Sequence, residues 1–136
     1  MGLLKNNATA ATGSSAATTG AVNSHSVDMS GYDRVTFMVE MVTANSGNGA
    51  NLATSTDNSS FADLEGTKVT PGTNGDHAVI EVIKPLERYI RMEAFRGAST
   101  ALGAIYSVAG GARKGPTSHA ATVDTEVHIS PARGTA

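Results

Sequence analysis

Alternation of apolar and polar side chains is the main regularity of this chain, and it predicts β-strands. In residues 34–43, Val35, Phe37, Val39 and Met41 occupy every second position. Side chains two residues apart point to the same face of a strand, so this spacing places all four on one face. We therefore predict a half-buried strand over this segment.

Two later segments, residues 88–96 and 100–109, repeat this period and are predicted to be strands separated by a turn at 97–99. The predicted buried faces are Ile90, Met92 and Ala94 in the first segment, and Leu102, Ala104, Tyr106 and Val108 in the second. Residues 50–56 form a shorter strand candidate of low apolarity.

Residues 77–83 read HAVIEVI and are nearly all apolar. Such a run is typical of a central strand that is buried on both faces, or of a strand that a neighbour covers. Pro85 should end this strand, because proline has no N–H to donate to a ladder.

Turn signals separate these segments at 45–49, 71–76 and 110–116. No window of 11 residues shows the helical spacing of apolar positions, whereas short strands recur with turns between them, as in all-β sandwiches and barrels. We predict an antiparallel β-sandwich over residues 21–116. Large apolar residues are few, so its core should be thin.

Residues 1–20 are small and polar, with too few apolar side chains to offset the entropy lost on ordering. They are predicted to form an extended N-terminal arm, which is either flexible or held by a neighbouring subunit. Leu3, Leu4 and Lys5 are its candidate contacts with a partner.

Residues 117–136 are predicted to form a C-terminal arm with one strand. Over residues 122–130, Val123, Val127 and Ile129 fall on one face of a period-two pattern. This strand has two open alternatives: it returns to its own sheet, or it adds to the edge of a partner's sheet. The loose spacer at 117–121 favours the second. The three apolar residues are therefore candidate contacts with a partner.

Charge and composition argue against several classes of function. The formal net charge is −2, which gives no positive field for binding nucleic acid. No segment approaches the roughly 20 apolar residues that span a bilayer, and residues 1–20 lack the pattern of a signal peptide. Cysteine is absent, which removes disulfides and thiolate sites. We expect no nucleic-acid partner and no membrane partner.

Catalytic and metal-binding signals are weak. The four histidines, His25, His77, His119 and His128, lie far apart in the sequence, and we interpret them as solvent-facing. Asp57, Asp63 and Glu65 lack the spacing of a calcium loop, so a solvated acidic loop is favoured. No nucleophile motif is present. We predict a protein that is not an enzyme and binds no metal or cofactor.

The turn GGARKG at 110–115 lacks the residue order of a phosphate-binding loop. Its Arg113 and Lys114 are either solvated charges or a small basic patch that contacts an acidic surface of a partner. They are the remaining candidate contact residues.

Several stretches together resemble a family of small head proteins of tailed bacteriophages: VDMSGYDRVTFMVEM (27–41), ADLEGTKVT (62–70), KPLERYIRMEAFRG (84–97), YSVAGGARKGP (106–116) and the closing HISPARGTA. The resemblance covers the chain from about residue 20 onward. Its motifs are turns and strands rather than catalytic residues.

This resemblance implies a capsid decoration (cement) protein with a jelly-roll-like β-sandwich, made in the host bacterial cytoplasm. Such a protein sits on the outer surface of the virion, often as a homotrimer, and binds neighbouring copies of the major capsid protein. Two alternatives stay open: another virion component (a neck, a tail or a head-fibre base), and a receptor-binding or carbohydrate-binding sandwich. A sugar platform needs exposed aromatic rings, and we expect most aromatic residues here to lie in the core.

Overall fold

A computed structural model describes residues 7–71, 76–113 and 118–124. The strands are β1 (Ala8–Thr12), β2 (Ser15–Asn23), β3 (Val27–Asp28), β4 (Arg34–Met41), β5 (Gly49–Ser55), β6 (Ala62–Asp63), β7 (Asp76–Ile83), β8 (Tyr89–Leu102) and β9 (Ile105–Gly110). The described residues contain no α-helix, and one 3₁₀ turn at Met29–Gly31 connects β3 to β4.

All strand pairs are antiparallel and belong to one hydrogen-bonded sheet that folds over at β8. One half has the order β1-β9-β4-β7. In the other half, β8 lies between β5 and the β2 and β3 strands, and β6 follows β5. Strand β8 reaches both halves, because Leu102 at its end pairs with Met41 of β4.

The two halves face each other around one core, which confirms the predicted all-β antiparallel sandwich. Strand β4 supplies one side of this core: Val35, Phe37, Val39 and Met41 are all buried, as their spacing predicts. The facing side chains from β5 and β8 are also buried and are Ala50, Leu52, Ile90, Met92 and Ala94. Alternation in β4 and in the first part of β8 therefore specified the core side correctly.

The turn predicted at 97–99 is wrong, because β8 continues through it to Leu102. Gly97 serves a close approach instead. A Cβ atom built on Gly47 would lie 2.6 Å from the Gly97 Cα, and one built on Gly97 would overlap Gly47 and Asn45. The Gly97 N–H also donates to the side chain of Asn48 at 3.1 Å. A glycine inside a strand can thus mark backbone contact rather than a turn.

The buried face predicted for residues 100–109 is also wrong beyond Leu102. The chain turns at Gly103, whose N–H donates to the Glu40 carbonyl at 2.9 Å. This turn changes the phase of the alternation, so Ile105 and Ser107 of β9 are buried and Tyr106 is 47% exposed. A shift of one residue exchanges the two faces of a strand.

Strand β7 is not a central strand. Among the described residues it pairs only with β4, so it forms an edge of the sheet. Its inward side chains include buried Ala78 and Ile80, whereas Val79 and Ile83 are 56% and 65% exposed. The sequence left two alternatives for residues 77–83, burial on both faces of a central strand or coverage by a neighbour. Only coverage by a neighbour stays open.

Part of the predicted N-terminal arm belongs to the sandwich. Residues 8–12 form β1 beside β9, and residues 15–20 begin β2 beside β8. These small residues lie in strands because β9 and β8 supply hydrogen bonds that an isolated arm would lack.

Candidate interaction surfaces

A groove of about 530 Å³ lies at one end of the sandwich, where three connections meet. They are the 3₁₀ turn at Met29–Gly31, the β7–β8 loop over 84–88, and the segment after β9 that contains Arg113. We call this the corner groove. Its lining residues are Met29, Ser30, Tyr32, Asp33, Lys84, Pro85, Leu86, Glu87, Arg88 and Arg113.

Backbone hydrogen bonds hold the walls of the corner groove together. The Lys84 N–H donates to the Asp33 carbonyl at 2.6 Å, and the Asp33 N–H donates to the Gly110 carbonyl at 2.9 Å. The Arg113 N–H donates to the Gly31 carbonyl at 3.0 Å. Lys84 has a positive φ of 52°, which turns the chain sharply after β7. The three connections are therefore fixed relative to each other.

An ion pair closes one side of this groove. Arg88 donates to both carboxylate oxygens of Asp28, at 3.0 and 2.7 Å, and these hydrogen bonds hold the pKa of Asp28 well below its usual range, with the Ser30 N–H contributing in the same direction. Asp28 also caps the 3₁₀ turn by accepting from the Ser30 N–H at 3.0 Å. Because both side chains are substantially exposed to water, the pair fixes geometry more than it adds stability.

The predicted contact residue Arg113 is exposed at the rim of the corner groove. Among the described residues, neither Arg113 nor Lys84 forms an ion pair. Leu86, in the same groove, is fully exposed. Two cations, the carboxylates of Asp33 and Glu87, and an exposed leucine therefore line the corner groove. Lys114, predicted beside Arg113, lies outside the described residues.

The start of the predicted C-terminal arm lies on the outer edge of β1. The Ala120 N–H donates to the Thr9 carbonyl at 3.0 Å, and the Ala11 N–H donates to the Thr122 hydroxyl at 3.2 Å. The His119 Nδ1 lies 2.8 Å from the Thr9 hydroxyl. Residues 118–124 thus lie against their own sheet.

The other predicted contacts in the arms are placed only in part. Val123 is half-buried, and its N–H donates to the Ala120 carbonyl at 3.0 Å in a turn. Val127 and Ile129 lie outside the described residues, as do Leu3, Leu4 and Lys5. The choice between own sheet and partner sheet therefore stays a prediction for residues 125–130.

Arg96 anchors β2, which sequence reasoning missed. This side chain is only 9% exposed. Its guanidinium donates to the carbonyls of Gly20 and Ala16, each at 3.0 Å, and to that of Thr19 at 3.4 Å. The β2–β8 register shifts between Ser15 and Gly20, so the guanidinium binds carbonyls where the regular ladder is interrupted. A sequence pattern gives no signal for such a long-range contact.

His25 is not solvent-facing, which corrects the expectation for this histidine. Its Nδ1 lies 3.0 Å from the Thr12 hydroxyl and its Nε2 lies 2.7 Å from the Ser107 hydroxyl. Burial lowers the pKa of His25. Ser107 is only 1% exposed, so a substrate could not reach its hydroxyl in this arrangement. The contact joins β1, β9 and the loop before β3.

The acidic loop residues are satisfied locally. The Asp57 carboxylate accepts from the N–H groups of Ser59 and Ser60 and from the Ser55 hydroxyl, each at 2.9 Å. These bonds, the Ser60 N–H first, lower the pKa of Asp57. Asp63 accepts instead from the Asn51 amide at 2.9 Å. Within the described part of the chain, no three histidine or acidic side chains could hold a metal ion together.

Most aromatic rings lie outside the core, contrary to our expectation; Phe37 is the one fully buried among the described residues. Phe61 is nevertheless covered, because the Arg91 guanidinium lies 4.0 Å from the centre of its ring. Arg91 in turn donates to Glu93 at 2.5 Å. Phe95 lines a second groove, of about 310 Å³, beside Asn51 and Asp63. The exposed aromatic surface is thus small and partly capped by arginine.

Comparison with solved structures shows that the fold is shared with the PBSX exported protein XepA. The TM-score is 0.57 at 14% identity, and the alignment covers 93% of this chain and 42% of XepA. This chain therefore spans less than half the length of XepA. At such an identity the likeness establishes the fold alone.

Two other solved structures are more distantly similar. The SPBc2 prophage-derived protein YomS has a TM-score of 0.47 at 7% identity, covering 76% of this chain and 93% of YomS. A protein of Bacillus endospore appendages, described as a family of disulfide-linked pili, has a TM-score of 0.46 at 13% identity, covering 78% and 88%. No protein-family model matches the chain, and no curated protein sequence matches it significantly.

No helix in the described part of the chain is long and apolar enough to cross a lipid bilayer.

Proposed function

We propose that this protein is a structural component of a tailed-phage virion that decorates the outside of the capsid by binding neighbouring copies of the major capsid protein. The corner groove carries the proposal. Arg113 and Lys84 supply positive charge there beside the carboxylates of Asp33 and Glu87, and Leu86 supplies an exposed apolar contact. Such a mixed surface suits a charged, partly apolar surface of a protein partner.

Two further observations support a virion role. The sequence resembles small head proteins of tailed phages over most of its length, and the sandwich fold is shared with the PBSX exported protein XepA. A decoration protein needs a stable scaffold and contact surfaces rather than a reactive centre. Binding only the assembled shell would then stabilise that shell by mass action. A homotrimer on the capsid is part of this proposal, as the resemblance implies.

Binding to undecorated tailed-phage heads tests the proposal. Purified protein is mixed with the heads, and the bound fraction is measured by sedimentation and imaged by electron cryomicroscopy. We expect saturable, symmetric density on the outer surface of the shell. Density at the neck or tail would favour the alternative virion component, and no binding to heads or other virion parts would contradict the proposal.

Variants of the corner groove test which surface binds. Arg113→Glu and Leu86→Asp should each lower the occupancy on heads. Lys68→Glu is the matched control, because Lys68 is exposed and lies outside the corner groove. Equal occupancy for Arg113→Glu, Leu86→Asp and wild type would exclude the corner groove as the contact.

A further inference from the structure

The outer edge of β7 is regular and exposes apolar side chains. Eight consecutive residue pairs join β7 to β4 without a bulge, from Arg34 opposite Ile83 to Met41 opposite Asp76. Proteins commonly guard such edges with lysines, prolines or bulges. Within Asp76–Ile83 no lysine, proline or bulge is present, and Glu81 is an exposed charged side chain. Two exposed apolar side chains, Val79 and Ile83, lie on either side of it.

The phase of the ladder shows which backbone groups are free. The Lys84 N–H donates to the Asp33 carbonyl, and hydrogen-bonded positions alternate along an antiparallel pair. The N–H and C=O groups of His77, Val79, Glu81 and Ile83 therefore point away from β4. Among the described residues none of these backbone groups has a protein partner, so the edge presents a ready template for another strand.

An apolar row crosses the outer face of the same half-sheet and ends at this edge. Tyr106 of β9 lies opposite Met38 of β4, and Met38 lies opposite Val79 of β7. Tyr106 and Val79 are 47% and 56% exposed. The row stops at β7, where about half of the Val79 surface is exposed. Apolar surface is therefore in contact with water at this edge.

We propose that the β7 edge pairs with the β7 edge of a second copy of this chain, around a two-fold axis that passes through Val79. Strand pairing of this kind is self-complementary, because the same edge is used by both copies. The two half-sheets would join into one continuous sheet. The apolar row would then run unbroken from Tyr106 of one copy to the partner's Tyr106.

The pairing of side chains across the edge selects this register. With Val79 opposite the partner's Val79, His77 lies opposite the partner's Glu81, and the same contact occurs twice. On the inner face Ala78 lies opposite the partner's Ile80. Cross-strand apolar pairs and complementary polar pairs stabilise antiparallel sheets.

Neighbouring two-fold registers are less favourable. A shift that centres the axis on Glu81 places two carboxylates opposite each other. A shift that centres it on Ile80 places Val79 opposite Glu81, and one that centres it on Ala78 places Val79 opposite His77. On the outer face, only the register through Val79 places Val79 opposite an apolar side chain and also His77 opposite Glu81.

This contact is small compared with permanent dimer interfaces, so we expect a weak dimer whose population rises with concentration. Its two-fold axis limits this contact to two copies. The homotrimer that the resemblance implies would therefore need a different surface. Val79 does not line the corner groove, so pairing and capsid attachment can be tested separately.

Sedimentation equilibrium of the full chain tests the proposal. Wild type should show a monomer–dimer equilibrium, and Val79→Lys should weaken it at least about tenfold, because it places two like charges on the axis. Val79→Thr is the matched control, since it keeps a β-branched side chain at the same outward position, and it should dimerise nearly as well as wild type. Circular dichroism checks that each variant stays folded.

Mixing variants tests the register itself. Val79→Lys and Val79→Glu should each be monomeric alone, and an equimolar mixture should form heterodimers.

The chain has no cysteine, so Val79→Cys should give a single disulfide-linked dimer under mild oxidation, whereas Ile83→Cys should not. Monomeric wild type at every attainable concentration, or a folded Val79→Lys that associates like wild type, overturns the proposal. A mixture that stays monomeric overturns the Val79 register.

The chain's own residues 125–130 are the competing occupant of this edge, because their sequence alternates like a strand. Deleting residues 125–136 should leave the dimer unchanged. Loss of the dimer on this deletion would assign the edge to that segment and overturn pairing between two β7 strands.

Discussion

The Ser107 hydroxyl lies 2.7 Å from Nε2 of His25. Ser107 belongs to β9, and His25 lies in the loop between β2 and β3, so this contact links segments 82 residues apart in sequence. Thr12 at the end of β1 completes it by accepting from the His25 N–H at 2.9 Å. The arrangement satisfies the polar atoms of a half-buried imidazole and closes one side of the sandwich.

The lowered pKa of His25 predicts that acidification destabilises the protein. In the unfolded chain this histidine binds a proton as the pH falls through about 6.5, whereas burial resists protonation in the folded state. The unfolded state therefore binds more protons than the folded state in this range. As a result, the free energy of unfolding decreases as the pH decreases. Above this range the effect is absent.

Urea unfolding of wild type and His25→Gln at several pH values measures this effect. His25→Gln should be less stable by about 1 kcal/mol above pH 7 because it weakens the hydrogen bonds to Thr12 and Ser107. The difference should shrink below about pH 6.5. A difference that does not change with pH would show that His25 does not carry the dependence.

Arg96→Ala should release β2 from the sheet. The substitution leaves three backbone carbonyls without their charged donor, and we expect a loss of roughly 2 kcal/mol in the free energy of unfolding. Hydrogen exchange should rise most at residues 15–20. Arg88→Ala is the control, because its ion pair with Asp28 is exposed, and its loss should be smaller. Unchanged exchange at residues 15–20 would contradict the anchoring role.

Gly97→Ala should destabilise the sandwich by about 1–3 kcal/mol, because the new methyl group would overlap the backbone of Gly47. Thermal unfolding measures the loss. Gly13→Ala is the matched control, since nothing lies within 4 Å of a Cβ at that position, and its melting temperature should be close to that of wild type. Equal melting temperatures for all three proteins would mean that the contact between the Gly47 and Gly97 backbones is loose.

Deleting residues 1–18 should destabilise the fold. The deletion removes β1 and the start of β2, which exposes the edge of β9 and takes Thr12 away from His25. We expect a lower melting temperature and faster amide exchange in β9. Deleting residues 1–6 alone leaves these contacts in place and serves as the control. A folded deletion of 1–18 with wild-type stability would show that β1 adds nothing to the sandwich.

The predicted contact residues were harder to place than the strands. The structure puts Arg113 on the rim of a groove with Lys84 and Leu86, a grouping that no local pattern contains because its members come from connections about 30 residues apart in sequence. Val123 lies beside the β1 edge through a turn that begins at Ala120. Sequence identified the segments, and folding determined which of them meet.

Local pattern alone determined the strands of the core. In β4, four side chains at every second position became buried because a strand presents alternate residues to one face whatever its neighbours are. The order of the strands is not a local property. The apolar run 77–83 became an edge, the phase of β9 followed from a turn at Gly103, and Arg96 bound carbonyls about 80 residues away in sequence. Each depends on which distant segments pair, and pairing is decided by the packing of the whole chain.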